Sequence, residues 1–341
     1  MKKRLLLAAL FAAAVATLPA FSGQYHIEVV SKGFQHDFWK QVNLGCNAAG
    51  KEFGATVNFV GPPSESHISE QVEQLSNAIN KRPDAICFAA LDREASLDLI
   101  YQAGAARIPV VTFDSDIGGD TGGAVLAFVA TDNKQAGAGA AVEMHARLKN
   151  QLANPAQPVH IAVLSQDTTS QSVGDRTVGF IERMVELCGA ANTSVEGHVK
   201  YEKKVSGAKV VIDVGIPAET TDSAANTIAQ TLFNRPNLLG IYGSNEFAAK
   251  AIVNTNETLN KLGPDKIVGI GFDAGSLQVQ AVRDRTLYGA ITQNPFMIGY
   301  LSVKTAIEAI KGQKVQDIAV PFYFYNADNM DRPEIKSCLY D

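Results

Sequence analysis

Short runs of apolar residues alternate along this chain with longer segments whose apolar positions recur at helical spacing. Ile27–Val30, Thr56–Val60, Ala85–Ala89 and Pro109–Phe113 predict four buried strands. Between them Phe38–Phe53, Ile68–Asn80 and Arg93–Ala106 carry the period of helices that bury one face. The pattern then restarts. Val159–Leu164, Val210–Val214, Leu239–Tyr242 and Ile267–Gly271 predict strands, and Val173–Cys188, Ser223–Phe233 and Glu246–Leu262 predict helices. Strand followed by helix, repeated, implies a parallel sheet with right-handed crossovers. The fold class is therefore α/β, as two similar lobes with no Gly/Ser-rich linker between them. A length of 341 residues leaves each lobe enough chain for its own core.

The first 22 residues have another character. Lys2, Lys3 and Arg4 precede the apolar run Leu5–Leu18, and Pro19 leads into Ala20-Phe21-Ser22, which reads as a cleavage site. This is the pattern of a secretory signal peptide over residues 1–22, and the run is short for a membrane span. The expected location is a bacterial periplasm. Losing the three cationic residues takes the formal charge from −5 to −8. An acidic exported chain is a poor partner for nucleic acid or anionic lipid. Cys46, Cys87, Cys188 and Cys338 fit no zinc or redox spacing, so neither a metal nor a cofactor is expected. Cys87 reads as a small core hydrophobe. A Cys188–Cys338 bridge is one arrangement that an oxidising compartment permits.

Candidate chemistry gathers where the predicted strands end, and in open parallel sheets ligands bind outside those carboxyl ends. Lys32, Gln35, His36, Asp37, Phe38 and Trp39 follow the first strand, and Asp114, Ser115 and Asp116 follow the fourth. The second half offers Asp167, Asp175, Arg176, Glu219, Ser244-Asn245-Glu246, Asp273, Gln293 and Asn294. If the lobes face each other, these ends line one cleft. Carboxylates and amides accept hydrogen bonds from sugar hydroxyls, Lys, Arg and amides donate to them, and aromatic rings pack on the apolar face of a sugar. Each Asp or Asn taken singly also suits a helix cap or a turn. The set as a whole does not, because Arg176 and the two aromatics have no capping role. Adjacent helical residues diverge by about 100°, so of Phe38 and Trp39 only one faces a ligand fully.

Enzymatic motifs are missing from the sequence: there is no G-x-S-x-G elbow, H-E-x-x-H pair or phosphate loop. Gly118–Gly123 lacks the Lys-Ser/Thr of a phosphate loop and reads as a surface turn. A DNA-binding repressor would need a helix-turn-helix where the signal stands.

From Tyr25 to about Tyr325 the chain resembles periplasmic sugar-binding proteins of the ribose-binding type, solute receptors of ABC transporters. The resemblance is carried by Asp37-Phe38-Trp39, Pro109–Asp114, Thr131-Asp132-Asn133, Arg176–Phe180, Gly243–Glu246, Val268–Asp273 and Ile291-Thr292-Gln293. It implies the type I periplasmic binding protein fold, two Rossmann-like lobes joined by a hinge. Residues 25–130 with 294–322 would form the N-terminal lobe, and 131–293 with 323–341 the C-terminal lobe. It also implies ligand roles for Phe38, Asp114, Arg176, Asn245, Asp273 and Gln293. Ribose binders resemble one another in an Arg after the fourth-strand aspartate, where Ser115 stands here, and a cleft aromatic is replaced near Glu219. Lys32, Gly61-Pro62 and Thr112–Asp116 are similar to the autoinducer-2 and rhamnose-binding branch, which implies ligand contacts for Lys32, Asp114 and Asp175. That branch's next residue, a glutamine, is Arg176 here. The function implied is capture of a sugar or polyol by a monomer that delivers it to ABC permease subunits. The same fold also serves periplasmic sensor kinases and chemoreceptors.

Overall fold

The computed structural model describes residues 25–340, so the expected signal segment lies outside the described residues. The chain opens with β1 (Tyr25–Val30), α1 (Asp37–Phe53), β2 (Ala55–Val60), α2 (Ile68–Asn80), β3 (Ala85–Phe88), α3 (Arg93–Ala105) and β4 (Val110–Phe113). Next come β5 (Val125–Thr131), α4 (Asn133–Ala153), β6 (Val159–Leu164), α5 (Gln171–Cys188), β7 (Thr193–Glu196), β8 (Val210–Gly215), α6 (Asp222–Phe233) and β9 (Leu238–Gly243). The chain continues through α7 (Glu246–Leu259), β10 (Val268–Phe272), α8 (Ser276–Arg283) and β11 (Gly289–Thr292). It ends with α9 (Pro295–Ile310), β12 (Ile318–Val320), β13 (Tyr323–Tyr325) and the short α10 (Pro333–Lys336).

These strands make two sheets. The first runs β12-β5-β4-β3-β1-β2 and is parallel throughout. The second runs β13-β11-β10-β9-β6-β8-β7, parallel except for β13, which pairs antiparallel with β11. Buried on both faces, β3, β4, β10 and β11 read as unbroken apolar or small-residue runs rather than as alternation. The chain passes between the sheets after β5, after β11 and again between β12 and β13.

Two of those passages lead into a helix that the periodicity did not predict. Helix α4 packs on α5 and the second sheet, whereas α9 packs on α1 and the first. Both are capped by an Asx side chain at the crossing: Asp132 accepts from Gln135 N, and Asn294 from Met297 N. Both also meet their partner helix through reciprocal glycines. A Cβ on Gly137 would stand 2.0 Å from the Arg176 carbonyl oxygen, and one on Gly179 would stand 2.1 Å from that of Lys134. In the first lobe the equivalent distances are 1.9 Å from Gly45 to Phe296 O and 2.1 Å from Gly299 to Val42 O. Hydrogen in place of a side chain lets each pair approach backbone to backbone.

All four cysteines are free thiols, so the bridge that the compartment would permit is not formed. The Cys188 thiol lies against the Met184 sulfur, and Cys338 bonds within the C-terminal turn. Cys87 is a core residue, and burial pushes its thiol well above the usual range.

Candidate functional site

Parallel strands bring their carboxyl ends to one edge, and here the edges of the two sheets face each other. Strand β1 delivers Lys32, and the first turn of α1 delivers Phe38 and Trp39. Strand β4 ends in Phe113-Asp114, and β10 ends in Phe272-Asp273. Both aspartates take positive φ, +55° and +76°. Asp tolerates this region better than bulkier residues do, and such angles cluster where a side chain must be re-aimed at a site. Helix α5 contributes Val173 and Arg176, the N-terminus of α7 Asn245 and Glu246, and the second crossing Gln293. With His36 and Glu65 these residues line a narrow polar cavity between the lobes.

Arg176 lies at its centre. Its Nε donates to Asn133 Oδ1 at 2.7 Å, and its guanidinium carbon stands 4.0 Å from the centre of the Phe272 ring. Nη2 is 3.7 Å from Asp114 Oδ1 and Nη1 is 3.9 Å from Asp273 Oδ2, so one cation faces an aspartate from each sheet. Both distances exceed a hydrogen bond, which leaves the fork and the two carboxylates free to bond a third group between them. Lys32 is placed in the same way, 3.5 Å from Asp114 and 3.7 Å from Glu65, while it donates to Ser170 Oγ of the opposite lobe at 3.1 Å. Gln293 donates to Asp273 Oδ1 at 2.7 Å and accepts from Thr131. Asn245 caps α7 and donates to Gln166 Oε1 at 2.7 Å, and Gln166 in turn donates to Glu65.

Burial and charge oppose each other at these groups. Burial alone would neutralise Glu65, but Lys32, His36 and hydrogen bonds from Gln166 and Trp39 outweigh it and hold the carboxyl at about 2. Burial disfavours the charge on Lys32, yet Glu65, Asp114 and Asp167 keep its pKa above the ordinary value. For Asp273 burial prevails over Arg176 and Gln293 and raises it.

Of the residues expected to bind, Lys32, Phe38, Trp39, Asp114, Arg176, Asn245, Asp273 and Gln293 are brought together around the cavity. Asp175 is not. It follows the turn of α5 away from Arg176, bonds Gln171, and lines a separate groove with Arg93 and Lys134. Asn294 and Asp167 serve as backbone caps, and Glu219 lines an outer groove. Asp116 accepts from Thr112 at 2.6 Å, away from the cavity. Glu65 was missed because it sits in a Ser/Glu-rich turn after Gly61-Pro62 with no periodic signal. It is 7 % exposed, bonded by Trp39 of its own lobe and by Gln166 of the facing one. Phe38 and Trp39 both line the cavity, edge to face at 4.9 Å, and the Trp39 indole donates to Glu65 at 2.9 Å. Among the described residues no His, Cys, Asp and Glu group is arranged to hold a metal ion, and no helix is long and apolar enough to cross a membrane.

The chain matches the model of the periplasmic binding protein domain over residues 27–314. It is 26% identical to the D-allose-binding periplasmic protein of Escherichia coli (strain K12) over 84% of this chain and 85% of that one. It is 24% identical to the ribose import binding protein of Bacillus subtilis (strain 168) over 87% of each. Among solved structures, an ABC transporter solute binding protein from Agrobacterium vitis with bound D-fucose is 31% identical. It superposes with a TM-score of 0.78 over 92% of this chain and 100% of that one.

Proposed function

The chain belongs to the periplasmic binding protein family, non-enzymatic solute receptors, and on that premise we propose that it captures one neutral monosaccharide or a related polyol for an ABC importer. The observation that carries this reading is Arg176, held between Asp114 and Asp273 over the Phe272 ring, with Phe38 and Trp39 walling the same cavity. Sugar hydroxyls bridge the open distances of the charged groups, and a ring face covers the aromatics. Relatives named for allose and ribose, and one holding fucose, support the sugar class.

In this reading 25–130 with 294–322 move as one body against 131–293 with 323–341, about the three passages between the sheets. Ligand contacts from both bodies favour the closed form. The closed monomer then docks on permease subunits in the periplasm, after a cleavable signal over residues 1–22 has directed export. Ser115, at the position where ribose binders resemble one another in carrying Arg, instead approaches Ser170 across the cleft at 3.5 Å. This argues for a sugar other than ribose. The autoinducer-2-type reading keeps Lys32 and Asp114 but loses Asp175 to the separate groove.

Thermal-shift titration against pentoses, hexoses, polyols and inositols tests the reading, because a ligand of the native state raises Tm. At least one sugar is expected to raise Tm and, at saturation, to lower the radius of gyration in small-angle scattering. A flat response across the panel would overturn it.

A further inference from the structure

Two polar atoms at the cavity have no hydrogen-bond partner although they are buried, and they sit on opposite lobes: His36 Nε2 and Glu246 Oε2. His36 precedes α1 and is 7 % exposed; Glu246 opens α7. Their other atoms face each other, with Nδ1 3.7 Å from Oε1. Both residues line the enclosed cavity and also the groove outside it, whose walls include Ser64, Thr220 and Lys250, so they stand where one opens toward the other. An orphaned buried donor and an orphaned buried acceptor are each costly. Other charged groups of the cavity have partners: Glu65 is bonded by Trp39 and Gln166, Asp273 by Gln293, and Arg176 by Asn133.

We propose that His36 and Glu246 form a specificity-determining pair that reads one hydroxyl of the sugar, His36 Nε2 donating to its oxygen and Glu246 Oε2 accepting its proton. This rests on the sugar-binding reading and extends it to a ligand hydroxyl directed at the outer groove. A hydroxyl is the group that satisfies both orphans at once. An ether, a deoxy carbon or a carboxylate satisfies at most one, and a carboxylate is repelled by Glu246.

The imidazolium form fits this role, since it donates from both nitrogens. Burial disfavours that form, but the facing Glu246 carboxylate and the charges of Glu65 and Asp273 raise the pKa of His36 above its ordinary value. Asp37 and Lys40, paired on the first turn of α1, and Asp222 and Lys250, paired across α6 and α7, are the neighbouring charges, and each pair cancels within itself. Tyr340 faces the Glu246 side. Binding therefore weakens as pH rises through the pKa of His36.

Gly275 supplies a variant that leaves both chemistries in place. It caps α8 at φ −64°, which alanine adopts freely, and an added Cβ would stand 2.7 Å from Glu246 Oε1, so it displaces the carboxylate tip. The test takes the sugar giving the largest Tm shift among D-allose, D-ribose and D-fucose and measures calorimetric affinity for the full chain, His36→Gln, Glu246→Gln and Gly275→Ala. Each variant is expected to lose about tenfold or more. One monodeoxy analogue should lose about tenfold on the native protein and almost nothing on Glu246→Gln. The native affinity should fall as pH rises above the ordinary imidazole value of 6.5, and His36→Gln should be flat over the same range. If no sugar binds the native protein, the sugar reading itself fails. If a sugar binds but the folded variants bind like the native protein, or every deoxy analogue loses equally on Glu246→Gln, the pair is no reader and the inference is overturned.

Discussion

In the first sheet Phe113 ends its strand and Asp114 takes φ +55°; in the second, Phe272 ends its strand and Asp273 takes φ +76°. The two lobes thus present the same carboxylate in the same way, and they support it differently. Asp114 is faced by Lys32 of its own lobe and by Arg176 from across the cleft. Asp273 has Arg176 from its own side, receives a hydrogen bond from Gln293 at the crossing, and accepts from Glu246 N at 3.1 Å. The first lobe adds the aromatic wall, Phe38 and Trp39, and the second adds the amides, Asn245 and Gln166. A duplicated frame therefore yields an asymmetric site: one half covers an apolar face, and the other meets the polar edge of a ring. Arg176 is the element common to both halves.

The sharpest way to break the comparison is to remove that common element. Arg176→Ala leaves two buried carboxylates without their shared cation, a truncation worth about 3–5 kcal/mol. Affinity measured by calorimetry should fall by about a hundredfold or more. Arg176→Lys should not restore it, because an ammonium lacks the fork that faces two aspartates at once.

Glu65→Gln probes the first lobe's buried carboxylate together with its bond from Gln166 across the cleft. The native carboxyl is held at about 2, below its unfolded value of 4.5, so its contribution is present above pH 4.5 and is lost as pH falls toward 2. The shift corresponds to about 3 kcal/mol. Chemical denaturation should show the variant less stable at pH 7, with the difference shrinking below pH 4.5.

The glycine pairs allow a matched test. Gly45→Ala and Gly137→Ala each drive a Cβ into a facing backbone carbonyl, and overpacking of this kind costs about 1–3 kcal/mol. Similar losses of Tm are expected from both. Gly137→Ala should weaken ligand binding more, because the carbonyl it strikes belongs to Arg176. Equal affinities for the two variants would show that backbone approach at α5 does not position the guanidinium.

The smallest effect on affinity is expected at the single tryptophan. Trp39→Phe keeps an aromatic wall and removes the indole donor to Glu65, a loss of about 1.5–3 kcal/mol at most. In the native protein, emission from Trp39 should shift when a sugar binds. An unchanged spectrum with normal affinity in the variant would make Trp39 a packing residue.

The sequence announced the strand–helix alternation to the residue in places, as at Ile68–Asn80 and Val159–Leu164. It was silent where tertiary contact replaces local pattern. Helix α4 is rich in Ala and Gly because it meets α5 through backbone, so it carries no stripe of large apolar residues. Helix α9 is apolar on several faces because it is wedged between α1 and the first sheet, which erases the period. At the site, strand-end position found Asp114 and Asp273, and a helix start found Phe38 and Trp39. Asp175 was misplaced because neighbours on a helix point about 100° apart and Arg176 takes the inward direction. Glu65 and the His36–Glu246 pairing depend on the opposite lobe, which no local spacing encodes.

The passages between the sheets also set an order in time. The Cys46 thiol bonds the Gly299 carbonyl across 253 residues of chain, and α9 and β12 complete the first sheet's core and edge. The lobe that begins the described chain therefore stays unfinished until all of the other sheet but its edge strand β13 has been made. Its last helix and edge strand arrive only with residues 295–320. Closing so long a loop is slow, and until then α1 and the outer edge of β5 remain open to wrong partners. The half that walls the cavity with aromatics thus waits for residues 295–320 before α1 is held in place.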